Sequence, residues 1–128
     1  MKKTKISTDR APSAIGAYSQ AIRAGNFVFI SGQIPLDPKT MQVVNGDIND
    51  HITQVLSNIR AIAEESGSTM NEIVKINVYL KDLEHFQNVN EVMESYFEKP
   101  YPSRAAVEVS RLPKDVSIEM DAILYVEK

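Results

Sequence analysis

Strand-like segments of this chain carry apolar side chains on both faces, yet only two stretches have the spacing of amphipathic helices, and that imbalance limits the folds open to it. In Phe27-Val28-Phe29-Ile30, Val28 and Ile30 alternate with Phe27 and Phe29, so both faces of the strand seek burial. Tyr18 to Arg23 precedes it across Ala24-Gly25-Asn26, which together predict a β-hairpin. Ile73 to Leu80 alternates, with Val74, Ile76, Val78 and Leu80 on one face and Lys75, Asn77 and Tyr79 on the other. Arg104 to Val109 and Ile118 to Val126 read as two more strands. If Val107, Val109, Met120, Ala122 and Leu124 face the helices, then Ala106, Ile123 and Tyr125 face outward among Arg104, Glu108, Glu119 and Asp121.

The helices are read from 3.6-residue periodicity. After an N-cap at Asn49 or Asp50, apolar residues fall at Ile52, Val55, Leu56, Ile59, Ile62 and Ala63, with Gly67 as the C-terminal cap. Asp82 caps a second helix with the stripe Phe86, Val89, Met93, Tyr96 and Phe97, stopped by Pro100 and Pro102. A brief strand over Met41 to Val44 completes the order β-β-(β)-α-β-α-β-β. This predicts an α+β fold, a mixed β-sheet with two helices packed on one face. No third helix is left to cover the other face, so a second copy of the chain is the expected cover and the protein should be a homo-oligomer.

At 128 residues the chain should form one domain over 1–128, with any site shallow or shared between subunits. Hydrophobic residues at 43% and charged residues at 24% argue against disorder. The basic start, Met1 to Asp9, has no apolar run behind it, so it does not read as a secretory signal, and no segment approaches the length of a membrane helix. Without cysteine there is no thiolate nucleophile, disulfide framework or usual structural zinc site, and a reducing cytoplasm is the simplest location. A net charge of −3 lacks the basic excess that drives non-specific nucleic-acid binding.

Arg104 and Glu119, on the last two strands, can by this parity point to one outward side. A guanidinium there would grip a carboxylate through two parallel hydrogen bonds, and a nearby carboxylate could deprotonate a water. An ordinary cross-strand ion pair fits the same pattern. Asn90 places an amide in the apolar stripe of the second helix, where it needs a backbone or ligand partner. Tyr18 fits a packed aromatic with a wet hydroxyl, and Ser31-Gly32 fits a turn or a close approach of ligand to backbone. His51 and His85 lack metal-ligand spacing and read as solvated. No Gly-rich nucleotide loop or nucleophile elbow occurs.

The segment from Arg104 to Met120, Arg-Ala-Ala-Val-Glu-Val-Ser-Arg-Leu-Pro-Lys-Asp-Val-Ser-Ile-Glu-Met, resembles the C-terminal signature of the RidA/YjgF/UK114 family. Ala14 to Ala21, Ile30 to Pro35, Val89-Asn90 and Tyr96-Phe97 resemble its other motifs, so nearly the whole chain is covered. The resemblance implies a chorismate-mutase-like homotrimer whose sheets form a central barrel, with ligand clefts between subunits. It implies 2-iminobutanoate/2-iminopropanoate deaminase activity without cofactor or metal, protecting pyridoxal-phosphate enzymes from reactive imines. Arg104 would clamp the substrate carboxylate and Glu119 would activate water. Tyr18, Ser31, Gly32 and Asn90 would shape the cleft, and the main chain at Ala106 would meet the imine nitrogen. Many relatives have cysteine where this chain has Ala106, which removes a thiol and keeps the backbone contact. The alternative is a non-enzymatic trimer that binds a small carboxylic metabolite in the same cleft and regulates a partner; an RNA-acting protein finds no support in charge.

Overall fold

A computed structural model describes residues 2–127. Lys3–Ile6 (β1), Ala21–Ala24 (β2) and Phe27–Gln33 (β3) run as an antiparallel meander, with the β2–β3 hairpin closed at Gly25, whose φ of +63° suits a residue without Cβ. The hairpin agrees with the sequence reading, although its first strand begins at Ala21 and not Tyr18. The sequence reading did not include β1, because Lys-Thr-Lys-Ile lacks an apolar face. Met41 to Val44 is not a strand; a single antiparallel bridge joins Leu36 to Val43.

Ile48–Glu65 (α1) starts earlier than the sequence suggested, its N-cap lying two residues before Asn49 and three before Asp50. Asp47 is the N-cap: its carboxylate accepts from the Asp50 amide, and the Asp50 carboxylate accepts from the Asp47 amide, each at 3.1 Å. The expected stripe of α1 is buried. Ile73–Leu80 (β4) follows, with a register shift between Ile73 and Lys75. This irregularity turns Ile73 inward and leaves Val74 43% exposed, so Val74 does not share the core face with Ile76, Val78 and Leu80. Asp82 caps a single 3-10 turn, Leu83–His85, which runs into Phe86–Tyr96 (α2). Val89, Met93 and Phe97 are buried. Ser103–Glu108 (β5) and Ile118–Tyr125 (β6) complete the chain.

The strands form one open six-stranded sheet in the order β1-β2-β3-β6-β4-β5, antiparallel except for the parallel β4–β5 pair. Both helices lie on one face, as the α+β reading required. Val28, Ile76, Leu80, Ile118, Met120 and Leu124 from the sheet meet Ile52, Leu56, Ile59 and Ile62 of α1 in a single core. Each such side chain contributes about 1.5–3 kcal/mol on burial, so this layer dominates the stability of the fold.

The opposite face carries Phe27, Phe29 and Val107, all more than 40% exposed. Phe27 packs edge-on against Tyr125 at 5.8 Å between ring centroids. The apolar outer face is therefore present, but the parity of β5 is reversed from the sequence reading. In the parallel register Arg104 stands beside Ile76 and Ala106 beside Val78, which share the helix-side face. Ala106 packs against the core, and Val107 points away from the helices.

Candidate functional site

Arg104 occupies edge strand β5, on the face covered by α2. Its Nη1 donates to Asn90 Oδ1 at 2.6 Å and lies 3.7 Å from Met93 Sδ, while the guanidinium carbon stands 4.8 Å from the centroid of the Phe86 ring. Asn90 and Met93 are held by the helical spacing of α2, so the charge has a fixed seat. Among the described residues Arg104 forms no ion pair. It borders an open cavity of about 390 Å3 that also takes in Gln87, Glu94, Tyr101 and Pro102. Asn90, a polar residue in an apolar stripe, has thus found a partner in Arg104 and not in backbone.

Glu119 lies elsewhere. In β6 it alternates with the core residues Ile118 and Met120, so its side chain points to the face away from the helices. Arg104 and Glu119 consequently stand on opposite faces of one sheet. The expectation that they share a side, and the ion pair that would follow, are both corrected: the reversed parity of β5 separates them.

The Glu119 carboxyl lies over Gly32 in the irregular end of β3. A Cβ at Gly32 would run into Glu119 Oε2, so any larger residue would displace the carboxyl. Burial pushes the Glu119 pKa above the ordinary carboxylate value, and the charge of Asp121 pushes it further. Asp121 is itself held from β4: Asn77 Nδ2 donates to Oδ1 at 2.8 Å, and the Tyr79 hydroxyl donates to Oδ2 at 2.9 Å. The bond to Asp121 is the main reason the Tyr79 pKa is raised.

Glu119 opens on a second cavity, of about 310 Å3, reached by Tyr18, Gly32, Gln33 and Lys114 and walled by Pro12, Ile15, Ile34, Leu36 and Met41. Buried Gln20 shapes this wall: its Nε2 donates to the carbonyls of Thr8, Ala11 and Pro12, and its Oε1 accepts from the Thr8 amide. Ser31 has a structural task as well, its hydroxyl donating to Ser19 O at 2.6 Å beside Tyr18. The sequence reading missed Gln20, Met41 and Asp121; a buried glutamine among loop residues leaves no periodic signal.

The histidines are not simply solvated. Half-buried His51 donates from Nε2 to Val44 O at 3.1 Å, and in neutral form accepts the Ser117 hydroxyl at Nδ1, 2.9 Å away. It ties α1 to the segments on either side of the Glu119 cavity. His85 is also half-buried, with Nδ1 shielded from solvent.

A family model described as Endoribonuclease L-PSP matches residues 8–126. The chain belongs to the YjgF/RidA family. Among its relatives, a RutC family protein of Pyrococcus abyssi is 56% identical over 127 residues, covering 99% of this chain and 100% of the relative. A 2-iminobutanoate/2-iminopropanoate deaminase of Salmonella typhimurium is 47% identical, with 96% of this chain and 97% of the relative covered. The structure of Escherichia coli TdcF with bound serine superposes with a TM-score of 0.91 at 40% identity, covering 97% of this chain and 99% of that one. The YjgF/RidA match thus runs through both cavities, from the loop before β2 to Glu119.

Proposed function

We propose that the protein is a cytoplasmic enzyme that hydrolyses reactive 2-imino acids to 2-oxo acids and ammonia, in clefts that neighbouring copies build together in a homotrimer. The observation that carries this reading is Arg104: a guanidinium held by Asn90 and Phe86 at the mouth of a cavity, and in no ion pair among the described residues. A substrate carboxylate would complete it through two charge-assisted hydrogen bonds. Because Glu119 stands on the other face of the sheet, the Arg104 half of one copy meets the Glu119 half of the next. The exposed Phe27, Phe29 and Val107 are the apolar surface that such an assembly would bury.

The chemistry asks little beyond positioning, since an imine carbon is already electrophilic. Glu119 takes a proton from water as the water oxygen bonds to C2, and the electron pair of the C=N bond moves to nitrogen, which is protonated. The carbinolamine then transfers its hydroxyl proton to the amine and expels ammonia as the carbon–oxygen double bond forms. One water is consumed and one ammonia released. A Glu119 carboxyl with a raised pKa is suited to take and return that proton. Ala106 lies two residues from Arg104 on the sheet edge, where its main chain would hold the nitrogen. The deaminase name carried by the Salmonella relative supports the same chemistry.

The serine bound to TdcF favours one rival, a carboxylate-binding regulator without turnover. The two separate in an assay that generates 2-iminobutanoate with a threonine dehydratase and traps it with semicarbazide. The wild type should speed loss of the trapped species, and Arg104→Ala should lower that rate by roughly a hundredfold or more. Glu119→Ala should abolish hydrolysis and still bind carboxylates. A well-folded wild type that gives no acceleration rules out the deaminase and leaves the binder.

A further inference from the structure

The wall of the Glu119 cavity contains a residue that the turn it sits in does not favour. Met41 has φ +60°, the left-handed region that glycine or asparagine ordinarily fills. The turn is tightly determined: Asp37 donates its amide to Gln42 O at 2.9 Å, Met41 donates to Asp37 O at 2.8 Å, and Val44 donates to Pro35 O at 3.0 Å. Asp37 Oδ1 also accepts from the Lys39 amide at 2.8 Å and, at 3.3 Å, from that of Thr40. Nothing in the closing of this turn calls for a methionine, and glycine would close it without strain. Strained backbone of this kind persists where the side chain has a task. Half-buried Met41 lines the cavity together with Ile15, Ile34 and Leu36, on which Glu119 and Tyr18 also open.

We infer that Met41 is a specificity-determining residue, whose flexible thioether chain meets the side chain of the substrate and selects 2-imino acids with extended or branched apolar side chains. This rests on the proposed function, and deepens it. Pro12, Ile15, Ile34, Leu36 and Met41 make this wall of the cavity apolar, so an apolar side chain laid against it gains from burial.

The test uses the intact oligomer and the stable 2-oxo acid products as probes. Calorimetric titration with 4-methyl-2-oxopentanoate and with pyruvate gives a ratio of dissociation constants for the wild type, Met41→Gly and Met41→Leu. The wild type should bind the longer acid more tightly. Met41→Gly should lower that preference about tenfold, the worth of one to two buried methylenes, and should melt at a higher temperature because the turn is relieved. Met41→Leu should keep the preference. An unchanged ratio in Met41→Gly, a wild type that prefers pyruvate, or one that binds neither acid overturns the inference. Loss of the preference in Met41→Gly without any imine hydrolysis by the wild type would uphold it and remove the deaminase reading; hydrolysis with an unchanged ratio would do the reverse.

Discussion

The raised pKa of Glu119 links its surroundings to a pH profile. A general base works ionised, so turnover should fall as pH drops through the folded-state pKa of Glu119, which burial first and Asp121 second place above the usual value. Asp121→Asn removes the second cause, and the acid limb of kcat/KM should then move to lower pH by part of the shift. A limb that stays in place, measured on a variant of unchanged oligomeric state, would mean that Asp121 does not tune Glu119. The same shift has a stability counterpart. The folded chain holds this proton more tightly than the unfolded one, so the stabilising contribution is present below the unfolded pKa and is lost as pH rises through the folded pKa. Once ionised, Glu119 therefore works against the stability of the fold.

At the scale of elements, the strap between β3 and α1 decides the shape of the Glu119 cavity. Asn58, buried in α1, donates from Nδ2 to Leu36 O at 3.0 Å, and Gln54 Nε2 donates to Asn58 Oδ1 at 2.9 Å. Asn58→Leu would strand that carbonyl and should destabilise the fold by about 1–3 kcal/mol in denaturant unfolding. Little change would mean that the strap is held by its own turn alone. The helices, the hairpin and β6 were legible in the sequence because their apolar spacing is long and regular. In β5, Arg-Ala-Ala-Val has small residues on both parities, so only its parallel register with β4 shows that Ala106 and not Val107 faces inward. Val74 departs from the expected face for a related reason, since an irregularity at the start of a strand breaks the two-residue period. Arg104, Glu119, Gly32 and Asn90 stand out in the sequence as candidates by motif, but their division between two faces does not, because strand parity is set by pairing partners far away in the chain.

For the whole molecule, the proposed function makes a single copy an incomplete site, because Arg104 and Glu119 stand on opposite faces of the sheet. Each chain carries the Arg104 guanidinium on the α2 side and the Glu119 carboxyl on the opposite face, and an apolar sheet surface lies uncovered between β3 and β5. The most direct test is complementation between two variants, Arg104→Ala and Glu119→Ala, each expected to be inactive alone. Co-expressed in equal amounts and randomly assembled around a cyclic trimer, roughly one site in four receives an intact Arg104 from one copy and an intact Glu119 from the next. The 2-iminobutanoate assay should then recover about a quarter of wild-type activity. Mixed trimers, confirmed by mass, that recover none would contradict a site shared between copies.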